Sequence, residues 1–226
     1  MPTFVLRVWL ADRPGALGAV ASRIGAVGGD VTGIDILERG DGRVIDELTV
    51  HLPDEERIPL MLAKVAELDA VDVEDVRKVV AGLPHPLVDP IEIAADLLAE
   101  HSVERLLTAL VSGVGAAFGG EWAAVVDPDG PVVLQSSNGA PPAAWLEAFV
   151  HGTQAAGTDP GGAASASDVA WASLEVSGLA LLVGRPGRPF RARERRQLAT
   201  LGRVGDHRWQ DLVRAAGRRA HPAHSS

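Results

Sequence analysis

The chain has 226 residues, a formal net charge of −9, 46% hydrophobic residues and a mean hydropathy of +0.12, which suffices for one large or two small hydrophobic cores. It contains no cysteine, which excludes disulfides, thiolate metal sites and thiol nucleophiles together. No apolar run reaches membrane-spanning length and no basic-then-apolar leader opens the chain, so a cytoplasmic protein is expected.

The charge is uneven: residues 1–80 carry a net −6, residues 81–184 a net −11 and residues 185–226 a net +8. In chain order, Phe4 to Leu10 is apolar and β-branched enough for a strand. The loop Asp12-Arg13-Pro14-Gly15-Ala16-Leu17 follows, with Pro14 expected at the first helical position and Asp12 or Arg13 at the cap. Leu17, Val20, Ala21, Ile24 and Val27 recur at helical spacing, and Gly28-Gly29 is a helix stop. Val31 to Leu37 and Val44 to Leu52 read as strands around a Gly40-Asp41-Gly42 turn. Pro53-Asp54-Glu55-Glu56 opens a second helix with its acids at the positive end of the dipole, and Ile58, Leu62, Val65 and Leu68 form its stripe. Val71 to Val80 fits a last strand, with an irregularity at Glu74-Asp75. The order β-α-β-β-α-β is the split βαβ, or ferredoxin-like, arrangement: a four-stranded antiparallel sheet with both helices on one face.

Gly82-Leu83-Pro84-His85-Pro86 breaks the pattern, placing a linker at 82–89 between domains at 1–81 and 90–216. The second domain opens with one long helix, Ile91 to Phe118. Ala123 to Val126 and Val132 to Gln135 form a hairpin, and Trp145 to Val150 lies in a shorter helix. Gly157 to Ser167 reads as a mobile loop. Val169 to Val176 and Leu179 to Val183 form a second hairpin, Arg191 to Ala215 a closing helix, and residues 217–226 a disordered tail. The fold class is α+β, with an antiparallel sheet in each domain.

Residues 3–80 resemble the ACT domain, on the Asp12 to Leu17 loop after strand one, on Gly28-Gly29-Asp30-Val31 entering strand two, and on the element order. The resemblance implies an amino-acid-sensing module whose Pro-Gly loop offers backbone N–H groups. The side chains at the positions of Asp12 and Asp30 would help to hold the ligand. Asparagine is frequent at those positions in the family, whereas both are aspartates here. A carboxylate accepts from an ammonium but cannot donate to a ligand carboxylate, so the loop N–H groups would have to take the latter. The expected ligand is an amino acid or similar zwitterion, held by Asp12, Arg13, Pro14, Gly15, Ala16, Leu17, Asp30 and Val31. On the alternative reading, Asp12 only caps the helix and Asp30 only turns the chain. The resemblance also implies ligand between two modules, and unpaired edge strands favour the same homodimer.

Residues 90–215 resemble, on fewer features, a GAF domain, through the opening helix, the hairpins, and Gly178 to Gly184 running through Pro189-Phe190 into the last helix. No residue set for cyclic-nucleotide binding accompanies it, so a dimerisation scaffold is expected there.

Little else carries chemistry. The seven histidines show no metal spacing, so no metal and no cofactor are expected. Asp35, Glu38, Asp46 and Glu47 sit on the central hairpin, where a solvated acidic outer face is commoner than acid–base chemistry. No nucleophile motif accompanies them. Trp122, Trp145 and Trp171 read as core, with a pocket lined by Trp145 and Trp171 as the minority reading. The basic run from Arg185 to Arg196 is expected to meet the acidic middle of its own chain or of a second copy rather than nucleic acid. These expectations sum to a non-catalytic regulatory protein that senses an amino acid, acts as a homodimer and answers to a protein effector. The alternative is a structural dimerisation protein whose ACT pocket stays empty.

Overall fold

The computed structural model describes residues 1–79, 90–130, 133–155 and 167–220. The chain divides into two compact units, Met1–His85 and Pro86–Ser226; the expected linker at 82–89 lies outside the described residues.

In the first unit, β1 (Thr3–Ala11), α1 (Ala16–Ala26), β2 (Asp30–Gly40), β3 (Arg43–His51), a 3₁₀ turn (Glu55–Arg57), α2 (Ile58–Ala66) and β4 (Asp72–Val79) follow in order. The strands form an antiparallel sheet in the order β2-β3-β1-β4, so β2 and β4 are its edges. Strand alternation sends Phe4, Leu6, Val8 and Leu10 to the helix side with Val44, Leu48 and Val50. There they form one core with Val20 and Ile24 of α1 and with Met61 and Val65 of α2. Asp41 and Gly42 both have positive φ (52° and 72°), as a two-residue type I′ hairpin requires. Arg7 faces Asp75 while the adjacent Val8 faces Val73. Glu74 is therefore an extra residue in a bulge, the irregularity foreseen at Glu74-Asp75. Asp54 caps the second helical segment by accepting from Arg57 N–H at 3.1 Å.

The second unit holds α3 (Pro90–Ala99), α4 (Val103–Phe118), β5 (Trp122–Val126), β6 (Val133–Ser136), α5 (Ala143–Ala155), β7 (Val169–Leu174), β8 (Leu179–Gly184) and α6 (Ala192–Ala220). Its antiparallel sheet runs β6-β5-β8-β7. The single long helix expected over 91–118 is two helices. Ser102 accepts from Arg105 N–H at 3.3 Å, and its extended backbone starts a new helix after α3; Ser102 followed by Glu104 was the start signal overlooked. The closing helix runs to Ala220, so residues 217–220 of the expected disordered tail are helical, and the remainder lies outside the described residues. Of the mobile loop expected at 157–167, only Ser167 is described, bridging to Phe190.

Both faces of this second sheet are covered. Ala123, Val125, Leu181 and Val183 pack toward α3, α4 and α6, while Trp122, Ala124, Ala180 and Leu182 pack with Leu146 and Val150 of α5. Covering on both sides explains why β5 and β8 are continuous apolar runs rather than alternating ones.

Candidate functional site

The loop after β1 folds differently from its simplest reading. Ala16 N–H bonds Arg13 carbonyl at 3.3 Å, and Gly15 has φ 86° and ψ −13°. Arg13-Pro14-Gly15-Ala16 is thus a turn with glycine in the left-handed position, as in a type II turn. Pro14 sits inside this turn and not at the first helical position. The residue at the N-cap of α1 is Gly15, and no side chain caps the helix, so the expectation of Asp12 or Arg13 as the cap is corrected. The physical reason is that the left-handed step at Gly15 delays the helix by two residues beyond Pro14. An uncapped start leaves first-turn N–H groups without side-chain acceptors at the positive end of the helix dipole.

The other expected site residues divide. Ala16, Leu17 and Val31 pack against the core of the first unit. Arg13 lines a cavity of about 300 Å³ between α1 and the α2–β4 connection, with Arg23, Glu67 and Asp69. Two of these four charges are engaged: Glu67 meets Arg23 at 3.8 Å and also Lys64 at 2.6 Å. Asp12 and Asp30 are both exposed, and the sheet does not bring them together. Thr3 and Asp30 both face His51 at one end, whereas Ala11 faces Arg43 at the other, immediately before Asp12. At a strand rise of ~3.3 Å per residue the two aspartates lie roughly 30 Å apart along the sheet.

Two of the four hairpin acids, Asp46 and Glu47, are buried rather than solvated. Glu47 is buried and accepts from Arg7 at 2.8 Å, with Arg7 1% exposed, and from Arg77 at 3.2 Å. It is therefore committed to neutralising two guanidinium groups. Trp9 Nε1 donates to Glu74 at 2.7 Å on the same network.

Asp46 turns the other way. It alternates with Val44 and Leu48, which pack in the helix-side core, and its cross-strand neighbours are Val8 and Ile36. It is 3% exposed, and its Oδ1 has no hydrogen-bond partner. Burial raises its carboxyl pKa above the usual carboxylate value, the Arg39 charge opposes that rise, and the Asp12 charge adds to it. Beside it on the edge strand, Ile34 and Ile36 are exposed by 49% and 40% although they face the helix side. Reading the hairpin for acidity alone places Asp46 on a solvated face and does not single out Arg39. The signal available was the period-2 run Val44, Leu48, Val50, Leu52, which places position 46 inward.

In the second unit the basic run is built inward. Arg185, 1% exposed, donates to Phe118 O at 2.7 Å and to Glu194 at 2.7 Å, and lies 3.9 Å over the Phe190 ring. Arg188 donates to Gly119 O at 2.6 Å, and Arg195 to Phe190 O. These partners are Glu194 and backbone carbonyls, and within the same run Gly187 N–H donates to Asp168, a carboxylate of the acidic middle segment, at 2.7 Å. Trp122 and Trp171 are core residues, while Trp145 stacks on Phe149 at 5.3 Å and meets Trp122 edge-on at 6.1 Å. Among the described residues no group of three or more histidine, aspartate or glutamate side chains could hold a metal ion, and no helix is long and apolar enough to cross a membrane.

Residues 4–70 match the family model described as "ACT domain". Among solved structures, the chain is similar to the ACT domain from GTP pyrophosphokinase of Chlorobium tepidum. Identity there is 16% over 37% of this chain and 90% of that one, with a TM-score of 0.28. It is also similar to an unknown protein from Galdieria sulphuraria, with 14% identity over 91% of this chain and 92% of that one and a TM-score of 0.32. No curated protein matches the sequence.

Proposed function

Because residues 4–70 of this chain are an ACT domain, we propose that the protein is a non-catalytic regulator that binds an amino acid through that domain and acts as a homodimer. Ligand occupancy is passed to the second, GAF-like unit and from there to a protein effector. The observation that carries this reading is the uncapped start of α1 behind the Arg13 to Ala16 turn. Its open N–H groups suit a carboxylate, and the adjoining acids Asp12 and Asp46 suit an ammonium.

The edge strand β2 supports a dimer. It offers an unpaired ladder with Ile34 and Ile36 exposed beside it, a surface that invites another strand. Antiparallel pairing of β2 with β2 of a second copy reverses one sheet against the other. Asp30 of each copy then comes to the sheet end where the other copy carries Asp12. The amino-acid site is thereby shared, with the Asp12 to Leu17 loop from one copy and Asp30 from the other.

The separation of Asp12 from Asp30 within one copy also favours a second reading, a dimerisation protein with an empty ACT pocket. Thermal unfolding of the full chain with each of the twenty amino acids at millimolar concentration separates the two. A ligand at a hundredfold excess over its Kd stabilises by about 2.7 kcal/mol, so a selective rise in Tm is expected. No rise with any of the twenty leaves only the dimerisation protein.

A further inference from the structure

We infer that Asp46 is the buried anchor for the α-ammonium of the bound amino acid, beside the exposed Asp12 and the second copy's Asp30. This rests on the amino-acid-binding reading above. A carboxylate in the core of a sheet normally finds a donor. Glu47, its immediate neighbour on the opposite face, has two arginines. Asp46 is 3% exposed with Oδ1 unpartnered, so its surroundings supply the desolvation without the compensating bond. On this inference the compensating donor is the ligand's own ammonium.

Three features place that cation at the proposed site. Asp46 faces the helix side of β3, where α1 packs. Asp12, the first residue of the loop, is exposed where β1 leads into α1, and its charge adds to the rise in the Asp46 pKa. The third is the flank: Ile36 is the direct neighbour of Asp46 on β2, and Arg39 follows beyond the bulge opposite Val44. Ile36 is open apolar surface, and Arg39 is a donor fit for a carboxylate. An ammonium on Asp46, a carboxylate on Arg39 and the α1 N–H groups, and a side chain over Ile34 and Ile36 account for each part of an α-amino acid. The loop N–H groups alone account only for the carboxylate. An ammonium has three donors, so Asp12 and Asp30 of the second copy can add to Asp46 without replacing it.

The test is calorimetric titration of the full chain and of its Asp46→Asn variant, using whichever of the twenty amino acids raises Tm and the N-acetylated form of that amino acid. Wild type is expected to prefer the free amine at least tenfold. In Asp46→Asn that ratio is expected to fall to within threefold, because the ammonium has lost its own partner and not merely a neighbour. A ratio unchanged in the variant overturns the anchor and leaves the amino-acid reading standing, with Asp12 or Asp30 as the ammonium partner. Equal affinity of wild type for the free and acetylated forms overturns it as well, and needs no variant to fold. If none of the twenty amino acids binds, the functional reading falls and the anchor falls with it.

Discussion

Asp12 and Asp30 flank the same module yet stand at opposite ends of its sheet, one following the Ala11–Arg43 pair and the other facing His51. A single copy cannot close both around one small ligand. Any site using both is built from two copies, and the exposed edge strand β2 is the element that antiparallel pairing would use. On the proposed function, the separation ties ligand binding to assembly: what fills the site would also hold two chains together.

The turn at Gly15 is the feature most exposed to a single substitution. A Cβ there would meet nothing within 4 Å, but the φ of 86° is one that L side chains rarely adopt. Gly15→Ala is expected to cost only about 1 kcal/mol of stability in urea unfolding, and to weaken amino-acid binding much more, by shifting the first-turn N–H groups. A variant that binds as wild type does would show that those groups take no part.

The buried Arg7–Glu47 pair makes a second prediction. Removing one partner strands a buried charge, and Glu47→Leu is expected to lose roughly 3 kcal/mol. The double variant Arg7→Met, Glu47→Leu should recover a good part of that loss, since neither charge is then left in the core. Chemical denaturation of the two variants checks this; a double variant less stable than the single would mean that Arg7 depends chiefly on its contact with Glu74, 3.9 Å away.

Asp46 links stability to pH in the opposite sense. Its folded-state pKa is raised above the ordinary value of 3.8, so the folded chain disfavours its ionised form relative to the unfolded chain. The resulting cost is absent below pH 3.8 and complete above the raised pKa. Asp46→Asn is therefore expected to be more stable than wild type at pH 7 and equal to it near pH 3, as read by urea midpoints at both. The charged groups acting there are Arg39 and Asp12. A carboxylate kept at a cost in stability is what a binding role would leave behind. A variant less stable than wild type at pH 7 would instead mark Asp46 as structural.

The first unit was legible from its sequence because its signals are local. Apolar and β-branched runs marked the strands, Gly-Asp-Gly fixed the hairpin and Gly28-Gly29 stopped α1. The break at Ser102 was obscured because apolar residues continue at helical spacing on both sides of it. At the loop, Pro14 suits a first helical position by itself, but the left-handed glycine at 15 is what delays the helix. The candidate site was legible only in part. Composition grouped Asp46 with Glu47, whereas the pleat sends the two to opposite faces. The inward turn of the basic run depends on Phe118 and Gly119 carbonyls more than sixty residues away, a contact that sequence spacing does not carry.

The most direct measurement of the shared site is subunit complementation. Asp12→Ala and Asp30→Ala chains are purified separately, mixed under conditions that exchange subunits, and titrated with the amino acid that binds wild type. The mixed dimer has one site with both aspartates intact and one with neither, so binding should return at one ligand per mixed dimer. Wild-type affinity at that stoichiometry is the predicted result. A mixture that binds no better than the two separate variants would contradict a site shared between copies.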